Sequence, residues 1–217
     1  MNVLIVAAGE PHSKPLLRWL AKRSQWIITV DGGTRAARRA RLTVNQFVGD
    51  GDSLSKRERA WLESAPFPVR WHPVEKDQTD LELALELALE RKPDEINIFG
   101  GWGLRADHTL SNLFLLERAA RAGVKALLWT DAERLSVLLP GEHLLQGAFV
   151  GQRVSFIPLS DRAEAIVTQG LRYSLHGDML ARAASRGVSN EVSELPASLA
   201  FSKGVLLMVQ AFSMDGH

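Results

Sequence analysis

Up to about residue 135, short runs that are apolar throughout alternate with longer stretches rich in Leu, Ala, Arg and Glu. Val3 to Ala8, Trp26 to Val30, Gln46 to Val48, Val69 to Trp71, Ile96 to Phe99 and Ala126 to Trp129 predict strands. The stretches between them predict helices near 13–24, 34–41, 55–64, 79–91 and 107–122. Strands that are apolar on both faces belong to parallel sheets covered by helices. The pattern therefore predicts a layered, Rossmann-like α/β domain with a mostly parallel sheet and right-handed crossovers. One stretch, 81–89, alternates leucine with Glu and Ala as a strand would. It holds no β-branched residue, however, and Leu81, Ala84, Leu85, Ala88 and Leu89 share one helical face. Thr79 and Glu82 spell the Thr-x-x-Glu capping box, so a helix is expected with Thr79 as cap and Asp80 in its first turn.

After about residue 138 the pattern changes. Pro140-Gly141, Gln146-Gly147, Gly151, Pro158, Gly170, Gly177, Gly187, Pro196 and Gly204 punctuate short strand-like runs. These runs are Arg153 to Ile157, Ala165 to Val167, Leu171 to Leu175, Ser198 to Phe201 and Val205 to Phe212. Short strands between regular turn signals predict a small antiparallel β-sandwich or barrel. The expected division is an α/β domain over 1–138 and a β-rich domain over 139–217.

The chain has 217 residues and a formal net charge of +1. That length can bury a sizeable core. The near-neutral balance gives no reason to expect nucleic acid or an anionic membrane as a partner. Arg35, Arg38, Arg39 and Arg41 cluster in sequence. No aromatics interleave with them, so they read as a helical surface facing water rather than a phosphate-binding patch. There are no cysteines, which excludes disulfides and thiolate metal sites and fits a cytoplasmic protein. The apolar N-terminus is short and lacks a basic leading region, and no apolar run approaches the ~20 residues that span a bilayer.

Chemistry concentrates after the predicted strands, where the loops of an open α/β sheet gather and ligands bind. Gly49-Asp50-Gly51-Asp52-Ser53 places two carboxylates two residues apart, so in extended geometry both face the same way. An EF-hand calcium loop is excluded, because Ser55 and Trp61 stand where it needs glycine and glutamate. Lys76-Asp77-Gln78-Thr79-Asp80 supplies a third carboxylate at a helix start. Mg²⁺ takes one or two carboxylates plus substrate phosphates, a demand that Asp50, Asp52 and Asp80 meet. Gly100-Gly101-Trp102-Gly103-Leu104-Arg105-Ala106-Asp107-His108 joins a strand to a helix. Its glycines allow close backbone approach, the helix start favours an anion, and Arg105 can fork onto phosphate oxygens. Asp107 reads as an N-cap or a site residue, and His108 as structural. Leu110, Leu113, Phe114 and Leu116 read as core. Asp31-Gly32-Gly33 ends the second strand as a tight turn or a nucleotide contact. The usual nucleotide-binding signatures are absent from the sequence.

Together these stretches, with Gly187-Val188-Ser189-Asn190-Glu191 further on, resemble the thiamine pyrophosphokinase family in order and spacing over nearly the whole chain. The resemblance implies an N-terminal ATP-binding catalytic domain and a C-terminal thiamine-binding β-sandwich. It also implies a homodimer with active sites at the subunit interface. The reaction would move pyrophosphate from ATP to the hydroxyl of thiamine with Mg²⁺, leaving AMP. By motif match, Asp50, Asp52 and Asp80 would hold Mg²⁺ and, with Arg105 and Asp107, form the catalytic set. Asp31, Gly32, Thr79, Arg105 and Asp107 would line ATP, and Ser189 and Asn190 would face thiamine. Trp102 and Phe201 are candidate platforms for that cationic ring. Two residues depart from the family pattern: Gly51, where an aromatic is frequent and whose lack of a side chain should loosen the loop, and Val188, where threonine is usual. The acidic loops taken alone equally suit a Mg²⁺-dependent nucleotide phosphohydrolase, or a non-catalytic sensor of thiamine or nucleotide.

Overall fold

The computed structural model describes residues 1–10, 13–103 and 105–212. Leu104, inside the Gly100–His108 motif, lies outside the described residues. Two compact units divide the chain, Met1–Asp131 and Ala132–His217. The division falls some residues before the one expected, because the strand at Glu133–Leu138 pairs with a C-terminal strand and so groups with the second unit.

The first unit runs β1 (Asn2–Val6), α1 (Lys14–Lys22), β2 (Trp26–Val30), α2 (Gly33–Ala40), β3 (Gln46–Gly49) and α3 (Lys56–Glu63). It continues β4 (Val69–Trp71), α4 (Asp80–Leu89), β5 (Glu95–Phe99), α5 (Ala106–Arg121) and β6 (Lys125–Trp129). Its strands pair in parallel in the order β6-β5-β1-β2-β3-β4. Val3 to Val6, Ile28, Phe47, Ile96, Ile98, Phe99 and Leu128 are almost wholly buried. Their continuous apolar sequence follows from helices lying against both strand faces. Within the core, the buried Asn97 accepts from the Trp129 indole at 2.7 Å, so neither polar group is stranded.

The 81–89 stretch is helix, as its composition requires. Thr79 accepts from the Glu82 amide at 3.2 Å, but the reciprocal half of the box is not made. Glu82 instead pairs with Arg118 of α5 at 2.8 Å. The complete capping box belongs to α3, between Ser55 and Glu58. Glu58 is buried and also holds Arg35 of α2 through a forked contact at 2.9 and 3.3 Å. The Arg35 guanidinium, outweighing burial, and the Ser55 groups bring the Glu58 carboxyl down from its ordinary 4.5 to about 2. A carboxyl depressed by folding stabilises above its unfolded value, and that stabilisation fades as pH falls toward the folded one. Glu58→Gln is therefore expected to cost roughly 2 kcal/mol at pH 7. The variant should also lose part of the wild-type decline in stability between about pH 5 and pH 2. Urea midpoints of the two proteins across that range check both statements.

The second unit contains two antiparallel sheets. Its strands are β7 (Glu133–Leu138), β8 (Gly141–Leu144), β9 (Arg153–Pro158), β10 (Arg162–Gln169), β11 (His176–Ala181), β12 (Asn190–Glu191), β13 (Ser198–Phe201) and β14 (Leu206–Ala211). They pair β12-β9-β14-β7 and β11-β10-β13-β8. Val154, Phe156, Ile166, Leu180, Leu199, Phe201, Leu206 and Met208 pack between the sheets as one core, which makes the unit a sandwich. Leu171–Leu175, expected as a strand, is an irregular bend that keeps a single bridge from Leu171 to Val192; its Leu171 and Leu175 dip into that core, and the strand follows it. Phe201 is 4% exposed and belongs to the core, so it offers no open ring face.

Candidate active site

In the first unit the chain steps from β1 outward through β2, β3 and β4, then returns to the other side of β1 as β5 and β6. The strand order therefore switches between β1 and β5. Loops leaving the C-terminal ends of strands at such a point diverge and open a crevice. A cavity of about 510 Å³ lies there, lined by Ala7 to Glu10 after β1 and by Gly100 to Gly103 after β5. Asp31, Asp52, Ser53, Thr79, Asp80, Arg105 and His108 also line it. The two switch-point loops run nearly in contact: the Gly9 amide donates to the Gly100 carbonyl at 2.8 Å. Gly100 has φ +75°, and a Cβ there would lie 2.3 Å from the Ala7 carbonyl oxygen. Both conditions demand glycine.

The acidic loops converge as their placement after strands implied. Carboxylate oxygens of Asp31, Asp50 and Asp52 lie within 4.8 Å of one another. Asp31 joins this group because β2 lies beside β3, with Val30 opposite Val48, so the residues after each strand are neighbours. Sequence reasoning gave Asp31 a nucleotide contact; the strand order β1-β2-β3 is the signal that brings it to the other two. Asp80 starts α4 and faces the same cluster through Lys76. The Lys76 ammonium lies 2.8 Å from Asp50 Oδ2, 3.1 Å from Asp80 Oδ1 and 3.0 Å from the Pro73 carbonyl. At Asp80 it is an ion pair out of hydrogen-bond alignment, which leaves that buried oxygen without a hydrogen-bond donor.

The charges are poised unequally. Burial, then the neighbouring Asp80 carboxyl, push Asp31 up to about 7. Burial would also raise Asp50, but the Lys76 ammonium and the Asp52 amide hold it below the usual carboxylate range. Lys76 is raised by its two carboxylates against the opposing effect of burial. Lys76 thus serves Asp50 and Asp80, while Asp31 and Asp52 have no ion pair among the described residues, an arrangement with room for a further positive charge.

The Asp50–Ser53 loop is tied down, against the expectation that Gly51 loosens it. The Gly51 amide donates to Asp31 Oδ1 at 3.0 Å, the Asp52 amide donates to Asp50 Oδ1 at 3.0 Å, and Arg59 donates to the Gly51 carbonyl at 2.6 Å. Gly51 has φ +76°, and a Cβ there would come 2.7 Å from the Trp71 ring. Trp71 lies over the loop because β3 pairs Gly49 with it, and its ring packs on Phe47 at 4.9 Å and beneath the Arg59 guanidinium at 5.7 Å. An indole from β4 therefore covers the position where an aromatic side chain at residue 51 would begin. Gly51→Ala is expected to cost about 2 kcal/mol from its left-handed backbone and the displaced indole. It should also raise the apparent KM for nucleotide; a variant matching wild type in both unfolding midpoint and KM would show that Trp71 does not confine the loop.

Arg105 and Asp107 stand at the exposed rim. Arg105, not Asp107, occupies the cap position of α5, and Asp107 lies in its first turn. The two form a forked pair at 3.2 and 2.7 Å, and the guanidinium with the His108 amide brings Asp107 down to about 2. Trp102 is half-buried and lines the cavity. Leu113 and Leu116 of α5 are buried as expected, but Leu110 and Phe114 are 55% and 54% exposed, one helical turn apart on a solvent-facing stripe.

Both units match known family models. Residues 17–128 match the thiamin pyrophosphokinase catalytic domain, and residues 142–206 match the thiamin pyrophosphokinase vitamin B1 binding domain. The thiamine pyrophosphokinase of Bacillus subtilis (strain 168) is 33% identical over 210 residues, covering 97% of this chain and 98% of that one. This chain belongs to the thiamin pyrophosphokinase family. A crystal structure of the B. subtilis thiamine pyrophosphokinase superposes with a TM-score of 0.88 at 30% identity, over 99% of this chain and 100% of that one. The thiamin pyrophosphokinase of Geobacillus thermodenitrificans gives 0.84 at 28% identity over 100% of both chains. Yeast thiamin pyrophosphokinase keeps the fold at 14% identity, with a TM-score of 0.83 over 99% of this chain and 87% of that one.

In the second unit, the family motif at 187–191 lies at the start of β12. Ser189 is exposed, with φ +61°, and its amide donates to Ser155 Oγ at 3.0 Å. Asn190 is buried. Its side-chain amide donates to the Tyr173 carbonyl at 2.8 Å and its oxygen accepts from the Tyr173 amide at 3.0 Å. Val188 and Tyr173 are exposed.

Proposed function

We infer that this chain is a thiamine diphosphokinase, moving the pyrophosphoryl group of ATP to the hydroxyl of thiamine and releasing AMP. The observation that carries this reading is the switch-point cavity of a thiamin pyrophosphokinase catalytic domain, lined by Asp31, Asp52 and Asp80 together with Arg105. In the transfer, the thiamine hydroxyl oxygen bonds to the β-phosphorus and the bond from that phosphorus to the α-phosphate oxygen breaks. The hydroxyl proton goes to a carboxylate, with Asp80 and Asp107 the candidates. Positioning and electrostatics dominate such transfers. Arg105, already shaped into a fork, would exchange Asp107 for phosphate oxygens. Thr79 and the Asp31-Gly32 turn would border the nucleotide, and Trp102 would present a ring face to the cationic thiamine.

The donor set fits magnesium. It is all oxygen, and carboxylate oxygens of Asp31, Asp50 and Asp52 gather within 4.8 Å, with a buried Asp80 oxygen that makes no hydrogen bond on the far side of Lys76. Asp50 and Asp52, with Asp31 beside them and Asp80 behind Lys76, are the residues that would hold it. When bound, the ion supplies neutralisation of phosphate charge.

The 139–217 region would bind thiamine as part of a homodimer whose active sites lie at the subunit interface. Ser189 and the exposed Tyr173 would face the vitamin, and Asn190 would fix the backbone that presents them. The exposed Leu110 and Phe114 support an association surface, and light scattering at twice the 24.0 kDa chain mass would register the dimer. No helix among the described residues is long and apolar enough to cross a membrane, and the absence of cysteine suits a cytoplasmic enzyme.

The deciding experiment follows ATP, AMP and thiamine diphosphate in the presence of Mg²⁺, with and without thiamine. AMP and thiamine diphosphate are expected in equal amounts, and only with the vitamin. Nucleotide consumed without thiamine would indicate a phosphohydrolase, and binding without turnover a sensor.

A further inference from the structure

A second cavity, of about 520 Å³, lies in the first unit away from the switch-point crevice. Its wall carries Arg35, Arg38, Arg39 and Arg41 from α2 and its end, Arg57 and Glu58 from α3, and the ring of Trp61. Five guanidiniums meet one carboxylate there, in a chain whose formal net charge is +1. Arg35 is spent on Glu58 at 2.9 Å. Arg38, Arg39, Arg41 and Arg57 have no carboxylate partner among the described residues, and Arg38 lies 5.6 Å over the Trp61 ring.

Helix electrostatics explain part of this gathering. Arg38 and Arg39 fall in the last turn of α2, where the helix dipole favours cations. The same reasoning fails for Arg57. It lies in the first turn of α3, where the dipole favours anions and disfavours a guanidinium. A cation at a helix N-terminus, facing four more guanidiniums across a concavity, leaves a positive potential that an external anion would relieve. Trp61 meets the requirement for an aromatic neighbour that the arginine run lacks in sequence. It arrives from α3, some twenty residues further along the chain.

We propose that this cavity is a binding site for a small polyanion bearing a diphosphate or triphosphate group, separate from the catalytic crevice. Four unpaired guanidiniums suit several phosphates at once, each able to take a fork. The Arg35–Glu58 pair holds the two helices at the spacing that keeps the cavity open.

Tripolyphosphate is titrated calorimetrically into the whole chain in EDTA, where the clustered carboxylates of the crevice repel it. Wild type is expected to bind, more weakly as salt rises. Arg39→Glu combined with Arg57→Glu should weaken binding by about tenfold or more. Both side chains are exposed and make no ion pair among the described residues, so transfer activity should be unchanged. Arg41→Asn, which suits the left-handed backbone at φ 57°, provides a second, milder variant with the same expected direction. Arg105→Ala should leave this binding intact. Absence of binding in wild type, equal binding by the charge-reversed variants, or loss confined to Arg105→Ala would each overturn the assignment. Tighter binding of an oligonucleotide than of tripolyphosphate at equal phosphate number would overturn it in favour of a nucleic-acid surface. A nonhydrolysable ATP analogue, titrated into wild type and into the charge-reversed variant whose crevice is intact, distinguishes the two sources of the phosphate group: a larger loss of affinity for the analogue than for tripolyphosphate identifies a nucleotide, and an equal loss identifies free polyphosphate.

Discussion

Asp52→Ala is expected to lower the rate of thiamine diphosphate formation by about 10²–10³-fold while leaving the urea midpoint unchanged. The separation of the two effects follows from where the residue lies. Its side chain is exposed, and its structural hydrogen bond is made by its backbone amide to Asp50. What the side chain contributes is a carboxylate within 4.8 Å of Asp31 and Asp50. Removing it takes one charge from the cluster and no packing from the core. Asp50→Ala would behave differently, because it also strips Lys76 of a partner 2.8 Å away in a nearly buried pair. Initial rates over a range of Mg²⁺, thiamine and ATP concentrations measure the first effect, and urea unfolding the second. Wild-type turnover in Asp52→Ala would remove the residue from the site.

The α/β unit was legible because parallel strands buried on both faces are mostly apolar, and β1, β2, β5 and β6 are, with Thr29 and Asn97 the polar residues inside them. The acidic loops were legible for a related reason, since strand ends in such a sheet share one edge. Legibility fails where the deciding contact is set by pairing rather than by local pattern. Trp71 reaches Gly51 through the β3–β4 register, and Trp61 reaches the arginines through the packing of α2 and α3. In the sandwich, β11 reads His-Gly-Asp-Met-Leu-Ala with only Leu180 buried, so no alternation marks it. Leu171 and Leu175 mimic a strand because a bend can bury leucines as well as a strand can. Leu110 and Phe114 likewise look like core from composition, since a sequence does not say which face of α5 lacks a partner.

Lys76→Met should destabilise the protein by roughly 3 kcal/mol in EDTA, and Mg²⁺ should restore more stability to the variant than it adds to wild type. The lysine side chain is 15% exposed and stands between Asp50, 7% exposed, and Asp80, 17% exposed. Methionine preserves most of the volume, so the loss is electrostatic. Buried carboxylates left without a counter-charge cost several kcal/mol unless they take up protons or a cation. Lys76 is the protein's own cation for Asp50 and Asp80, and its removal leaves Asp31, Asp50 and Asp80 facing one another. A divalent cation that binds the folded chain better than the unfolded one stabilises by mass action, and its affinity should rise when a competing ammonium is gone. Activity should still fall, because the geometry in which Asp80 is held depends on the lysine. Urea unfolding of both proteins with EDTA and with excess Mg²⁺ provides the four numbers required. If the two proteins are equally stable in EDTA, Lys76 is not what balances these carboxylates. If Mg²⁺ adds the same increment to both, the cation binds somewhere other than this cluster.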